Sequence, residues 1–259
     1  MPIRFDRRKF LALAAGHMVA GSCCAGVSAQ TALAQSAPSA IRAIAFDAFV
    51  IFDPRSVFKL AKELFPERGE ALSDLWFSKI FGYSWLRTVA DRYKIFTDVI
   101  DDALVFSARS LKLELTSAKH AQLNEAFAAL DLWPDVVPAL EHLHARNLRL
   151  AFLSNMTKSM MRANMRRNGI ETYFEFALST DRVCAFKPSP AAYRMGLDAF
   201  ALAKEEIAFA AFAGWDAAGA SWFGYPTFWI NRSGASAEEL DVNPYTTGKD
   251  LDVLLQSVG

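Results

Sequence analysis

The chain has 259 residues, of which 53% are hydrophobic and 22% charged, and its formal net charge is zero. That balance suits a globular protein with a sizeable core. It gives no global attraction to nucleic acid or to an anionic membrane, so neither is expected as a partner.

The first ~35 residues read as a targeting segment rather than as part of the fold. "MPIRFDRRKF" carries Arg4, Arg7, Arg8 and Lys9, and the apolar "LALAAGHMVAG" and a run of small residues follow. Asp6-Arg7-Arg8-Lys9-Phe10-Leu11 resembles the twin-arginine export motif of bacterial signal peptides. Ala32-Leu33-Ala34 before Gln35 fits a small-x-small cleavage site, with Val27-Ser28-Ala29 as the rival. A membrane anchor or a chance basic start is the other reading, but the run is too short and glycine-rich for a spanning helix of about 20 residues. A lipid anchor on Cys23 is a poor fit to the preceding Ala20-Gly21-Ser22. The expectation is a signal peptide over residues 1–34, cleaved on export to the periplasm through the twin-arginine translocon. Its loss removes four basic side chains and one acidic one, leaving a net charge of about −3. Only Cys184 of three cysteines survives, so no intramolecular disulfide can form. Folding in a reducing compartment before export agrees with that.

"IRAIAFDAFVIFDP", residues 41–54, is an apolar run of strand type with Asp47 near its middle and Asp53 at its far edge. Residues 56–132 have another texture. "SVFKLAKELF", "EALSDLWFSKIFGYSWLRTVADRY", "FTDVIDDALVFSARSLKL" and "KHAQLNEAFAAL" carry helical spacing and hardly a strand among them. Beyond Trp133, strand-length apolar runs return: "LRLAFLSN", "FEFALST", "EIAFAAFAG" and "YPTFWINR". Between them "VVPALEHLHARN", "TKSMMRANMRRNG" and "SPAAYRMGLDAFAL" have helical spacing with Asn or Gly stops. Strands alternating with helices imply right-handed crossovers and a parallel sheet covered on both faces. The expected fold is α/β: a Rossmann-like parallel core over residues 35–55 and 133–259, with a helical cap inserted over 56–132.

Ligands of an open parallel sheet bind at the carboxyl ends of its strands. The polar residues expected there are Asp47, Ser154 with Asn155, Lys187 before Pro188, and Asp216. Each alone has a bland reading. A Ser-Asn pair caps helices, Lys-Pro is a common surface loop, and Asp216 could be an N-cap. Four strand ends offering two carboxylates, an ammonium and a hydroxyl-amide pair are harder to dismiss.

At these residues a resemblance becomes specific. Asp47 in "AFDAF", Ser154-Asn155 in "LSNM", Lys187 and Tyr193 in "KPSPAAY", and Asp216 in "GWDAAGA" resemble the four motifs of the haloacid dehalogenase superfamily. "FPERGEALSDLW", "YSWLR", "RY", "GYPTFWINR" and the place of the helical insertion are similar to type II L-2-haloacid dehalogenases, from about Ile41 to Gly259. The resemblance implies hydrolysis of 2-haloalkanoic acids. Asp47 would attack the halogen-bearing carbon and form an aspartyl ester that water then cleaves. Burial alone would raise the pKa of such a carboxylate and quench it, so a cation must stand beside it. Lys187 takes that role. Ser154 and Asn155 would orient carboxylates, Asp216 would position water or hold Lys187, and Tyr193 would hydrogen-bond within the pocket. The family also supplies the expectation of a homodimer formed through the cap.

The chain departs from the type II pattern beside these motifs. "DAFVIFD" replaces the family's Asp-Ala-Tyr-Gly-Thr, Phe77 stands in place of its arginine, and Ala211-Phe212-Ala213 replaces Ser-Ser-Asn. The departures imply a more apolar substrate pocket lined by Phe49, Phe77, Phe81 and Trp215. Two rival readings are a phosphatase of the same superfamily and a non-catalytic, exported binding protein for small molecules. The phosphatases place a second acid where Phe49 stands and further acids near Asp216, where this chain has Ala217, Ala218, Gly219 and Ala220. No metal and no cofactor is therefore expected.

Overall fold

Residues 41–54 do not form the single strand that their apolar run suggests. In the computed structural model, which describes residues 40–258, strand β1 is only Ala43–Phe46. The expected signal peptide lies outside the described residues. Asp47 ends β1, and its carboxylate accepts the Phe49 N–H at 3.0 Å, capping a single helical turn, α1 (Ala48–Ile51). A short β2 (Phe52–Asp53) follows. The run is apolar throughout because Ala43 to Phe52 is buried whatever its secondary structure.

Four helices come next: α2 (Arg55–Leu64), α3 (Gly69–Val89), α4 (Phe96–Ser110) and α5 (Ser117–Ala126). β3 (Asp131–Leu132) then returns antiparallel to β2, pairing Phe52 with Leu132 and Asp53 with Asp131. The insertion thus leaves and re-enters the core through one two-stranded neck. Within it, the Trp76 indole N–H donates to the Ile100 carbonyl at 2.9 Å and ties α3 to α4.

The remaining elements alternate: α6 (Val136–Ala145), β4 (Arg149–Ser154), α7 (Lys158–Asn168), β5 (Phe176–Ser179), α8 (Pro190–Phe200), β6 (Ile207–Ala211), α9 (Gly214–Phe223), β7 (Thr227–Ile230), β8 (Thr246–Gly248) and α10 (Asp252–Ser257). The sheet order is β5-β4-β1-β6-β7-β8, and every pairing is parallel. This is the α/β parallel sheet expected from the alternation. β8 was not foreseen, because "TTG" is too short and polar to read as a strand; it exists through its pairing with β7.

Both faces of the sheet are buried, as helix-covered parallel sheets require. Ile44, Phe46, Phe152, Ala208, Ala210 and Phe228 face the layer that also receives the insertion. Ala43, Ala45, Ala151, Leu153, Phe209 and Ala211 face α8 and α9, with Tyr193 packed among them. Asn164 of α7 is wholly buried and joins the layers. Its amide accepts from Leu130 N–H at 2.8 Å and donates to the Phe127 carbonyl at 2.9 Å, fixing the returning end of the insertion.

The chain leaves β1 for β4 and β5 on one side, then crosses to β6, β7 and β8 on the other. The strand order therefore reverses at β1, and the crevice at such a reversal is where α/β sheets hold ligands. Asp47 stands there.

Candidate active site

Three ions meet at the carboxyl ends of the central strands. The Lys187 ammonium donates to Asp47 Oδ1 at 2.7 Å and to Asp216 Oδ2 at 2.6 Å. Tyr193 donates its hydroxyl to Asp216 Oδ1 at 2.7 Å. The Phe49 N–H holds the other Asp47 oxygen, and the Ser154 hydroxyl lies 3.4 Å from Asp47 Oδ1, a long and weak bond. Lys187 and Asp216 are each 1% exposed, whereas Asp47 is 8% exposed and is the one that reaches open space.

Charges buried this deeply persist only when paired. Burial alone would depress the Lys187 ammonium, but the two carboxylates outweigh it and hold its pKa above the ordinary lysine value. Asp216 has the opposite balance. Burial pushes it up, Lys187 pulls it down, and the Asp47 charge raises it again, leaving it at about 6. One ammonium cannot fully compensate two carboxylates, so the deeper one carries the deficit. Burial, and then Asp216, raise the Tyr193 phenol well above its usual range, so it remains a donor.

The close fit around this network has a backbone cause. A Cβ on Gly219 of α9 would come within 2.5 Å of the Tyr193 oxygen and 2.7 Å of Pro188 Cβ. Only a glycine lets α9 approach near enough for Asp216 to reach both Lys187 and Tyr193.

Five of the six expected polar residues are brought together through their side chains, and Asn155 differs in what it touches. It orients no carboxylate: its Oδ1 accepts the Lys187 backbone N–H at 3.0 Å. It therefore steadies the lysine through the main chain, across the gap between β4 and the loop after β5. Its Nδ2 is buried without a partner, and Asn155 lines the cavity beside Asp47.

That cavity holds about 20 Å³, roughly the room of one water molecule. Asp47, Asp216, Ser154 and Asn155 form its polar side, and Phe49, Phe81 and Trp215 stand in its wall. Phe77 does not. It stands behind Phe49, with its ring 4.5 Å from Phe58 and 5.7 Å from Phe127, and so fills the joint between insertion and core. Helix α3 turns about 100° per residue, so Phe77 and Phe81 share a face, but only Phe81 is far enough along it to reach the opening. Phe96, Met156, Phe212 and Ala213 complete the wall; Phe96 and Met156 look like ordinary core residues in the sequence, whereas Phe212 and Ala213 belong to the run that replaces Ser-Ser-Asn. A larger cleft of about 590 Å³ runs along the β5 edge near Lys158, Arg162 and Arg182. None of the buried ions lines it.

Two residues that support the turn after Asp47 also escaped the sequence reading. The Trp133 indole N–H donates to the Phe49 carbonyl at 2.9 Å, and Arg232 donates to the Val50 carbonyl at 2.8 Å. The Arg55 and Arg232 guanidinium groups lie 4.5 and 4.7 Å from the Trp133 ring, and Asp135 pairs with Arg232 at 2.8 Å. The turn after Asp47, with no Gly-Thr of its own, is held from outside by side chains more than 80 residues away. The only signals were a Trp before α6 and an Arg ending "WINR".

Among the described residues, no three His, Cys, Asp or Glu side chains are grouped to hold a metal ion. Asp47 and Asp216 are instead bridged by an ammonium, an arrangement suited to keeping a carboxylate ionised for attack.

The haloacid dehalogenase-like hydrolase family matches residues 33–224. The haloacetate dehalogenase H-2 of Moraxella sp. (strain B) is 34% identical over 84% of this chain and 98% of its own length. The (S)-2-haloacid dehalogenase of Pseudomonas sp. (strain YL) is 38% identical over 79% of this chain and 88% of its own. Among solved structures, an L-2-haloacid dehalogenase at 40% identity superposes with a TM-score of 0.83, covering 85% of this chain and 99% of that one. The Xanthobacter autotrophicus L-2-haloacid dehalogenase with chloropropionic acid covalently bound superposes at 0.77, with 28% identity over 84% of this chain and 98% of that one. With its motifs, its sheet order and these likenesses in agreement, the chain belongs to the haloacid dehalogenase-like hydrolases.

Proposed function

We propose that the protein is a hydrolytic dehalogenase of 2-haloalkanoic acids that works through an ester on Asp47. The observation that carries this reading is the Lys187 bridge, which sets an ammonium 2.7 Å from Asp47 at a cavity with room for about one water molecule. A carboxylate stripped of water there is a stronger nucleophile than one in solution. A carboxylate oxygen of Asp47 forms a bond to the carbon bearing halogen while the carbon–halogen bond breaks, and the halide leaves with the electron pair. Water then adds to the Asp47 carbonyl carbon, and the 2-hydroxy acid departs with the original aspartate oxygen. Asp216, with its pKa at about 6, is ionised at neutral pH and can take the proton from that water. The unpartnered Asn155 Nδ2 gives the cavity a donor for an anionic group of the substrate or for the departing halide. The relatives named above act on haloacetate or (S)-2-haloacids, which supports the substrate class.

A single turnover in oxygen-18 water tests the mechanism. Label is expected in the Asp47 carboxylate; label confined to the product would mean direct attack by water and would overturn the ester. Halide release from a panel of 2-haloacids tests the substrate class, and no release with any of them would favour the non-catalytic binding protein.

The reading extends to where and in what form the enzyme works. It is a divergent member of the L-2-haloacid dehalogenase branch, exported to the periplasm by the twin-arginine translocon. Support comes from "DRRKFLALAAG", and replacing Arg7 and Arg8 by lysine should trap precursor in the cytoplasm. It acts as a homodimer through the insertion. Leu86, Val89 and Ile95 are exposed there, and sedimentation of the mature chain gives the mass directly.

A further inference from the structure

Lys187 sits in a loop of the core, yet the residue before it is gripped by the helical insertion. The Phe186 N–H donates to Thr88 Oγ1 at 3.0 Å, at the end of α3. The Thr88 hydroxyl in turn donates to the Ser84 carbonyl at 2.8 Å, which fixes its rotamer. The buried Phe186 ring lies 4.7 Å from Tyr93 and 6.0 Å from Phe96, both on the insertion. Tyr93 then reaches back, and its hydroxyl donates to Asp181 Oδ1 at 2.5 Å, at the start of the same loop. Burial, and then Asp181, raise the Tyr93 phenol above its usual value, so it stays protonated and continues to donate. The loop carrying Lys187 is thus held at its start through Asp181 and next to the lysine through Phe186, both times by the insertion.

On the core side the Lys187 backbone N–H donates to Asn155 Oδ1, while the ammonium must meet two carboxylates within 2.7 Å. A cavity of about 20 Å³ cannot admit a haloacid unless the wall carrying Phe81 and Phe96 gives way. The same insertion that bears this wall bears Thr88 and Tyr93. We infer that Thr88 and Tyr93 are positioning residues: seating the insertion on Phe186 sets the Lys187 ammonium against Asp47, so closure of the cavity and assembly of the ion bridge are one event. The inference rests on the proposed role of Lys187 as the cation that keeps Asp47 ionised. A nucleophile armed only in the closed state attacks when water has been excluded, as lids that complete a catalytic set allow.

The test uses the mature chain with Tyr93→Phe and Thr88→Val, singly and together, and Thr88→Ser as the conservative control. Exchange of the Lys187 ammonium protons with water, read by proton–nitrogen NMR and assigned by loss of the signal in Lys187→Arg, needs no substrate. The double variant is expected to exchange at least about tenfold faster, with Thr88→Ser close to wild type. With 2-bromopropionate, kcat for the double variant should fall about tenfold while KM moves less than about twofold, since small displacements of reacting groups cost rate rather than affinity. Wild-type exchange and wild-type kcat in the double variant would overturn the inference. So would a loss confined to the melting temperature or to KM, which marks a merely structural contact. If the wild-type protein releases no halide from any haloacid, the dehalogenase reading fails, and the exchange measurement still decides this one.

Discussion

On the core side of the cavity, each carboxylate oxygen of Asp47 and Asp216 accepts at least one hydrogen bond, and the ammonium between them is 1% exposed. On the insertion side, Phe81 and Phe96 offer carbon alone. The core wall gathers Asp47 from the end of β1, Lys187 from the loop after β5 and Asp216 from the first turn of α9, and their mutual hydrogen bonds fix the three ions against one another. The facing wall comes from helices α3 and α4, joined to the core by the short β2–β3 neck, and aromatic packing tolerates their displacement. Charge is thus gathered on the core wall, and carbon faces it from the insertion.

Breaking the ionic wall should have the largest effect. Asp47→Asn is expected to lower turnover by about 10⁴-fold or more with an unchanged circular dichroism spectrum, because an amide cannot form the ester. Turnover within tenfold of wild type would remove Asp47 from the chemistry. Lys187→Ala comes next, at about 10³-fold in kcat, because the carboxylates then hold protons to relieve their repulsion. It should also cost roughly 3–5 kcal/mol of stability near neutral pH. Carboxylates raised in the folded state bind more protons there than in the unfolded chain, so the variant's stability should fall as pH rises. Urea titrations at several pH values read that slope.

The pH profile sharpens the division of labour between the two carboxylates. Asp216, at about 6, must be ionised to accept a proton from water. Cleavage of the ester should therefore slow about tenfold per pH unit below about 6. In the wild-type fold the same proton stays bound between the ordinary aspartate value of 3.8 and about 6. The Asp216 contribution to stability therefore declines as pH rises through that window, while activity increases. An acid limb identical in wild type and Asp216→Asn would assign the titration to another group.

The aromatic wall should break more gently, and differently at two neighbouring positions. Phe77→Ala is expected to cost about 3 kcal/mol in unfolding free energy, since its ring fills the joint among Phe49, Phe58 and Phe127. Phe81→Ala should act mainly on KM, since of these two equally half-buried rings only that of Phe81 borders the cavity. Equal effects on KM would mean that Phe77 reaches the substrate after all. The smallest effect is expected from metal removal. Halide release should survive EDTA and gain nothing from magnesium, because Lys187 already occupies the position between the carboxylates. Magnesium-dependent hydrolysis of p-nitrophenyl phosphate, lost in Asp47→Asn, would favour the phosphatase instead.

Periodicity alone carried most of the fold. Apolar runs such as "LRLAFLSN" against helical spacing in "TKSMMRANMRRNG" determine strand and helix, because burial on two faces or one leaves different patterns. The alternation of those patterns determined the parallel sheet, and a polar residue ending each run marked Asp47, Ser154, Lys187 and Asp216. Pattern reading failed where pairing, not composition, makes the element, as in β8, or where a capped turn interrupts an apolar run, as at α1. What only the tertiary structure decided were the partners. That Asn155 bonds the Lys187 backbone, that Phe77 stands behind the wall, and that Trp133 and Arg232 hold the turn after Asp47 depend on contacts between distant segments. So does the grip of Thr88 and Tyr93 on the lysine's loop. Hydropathy records whether a side chain is buried, which is a local property of the chain; which neighbour it meets is set by how the layers pack, and no single stretch of sequence contains that.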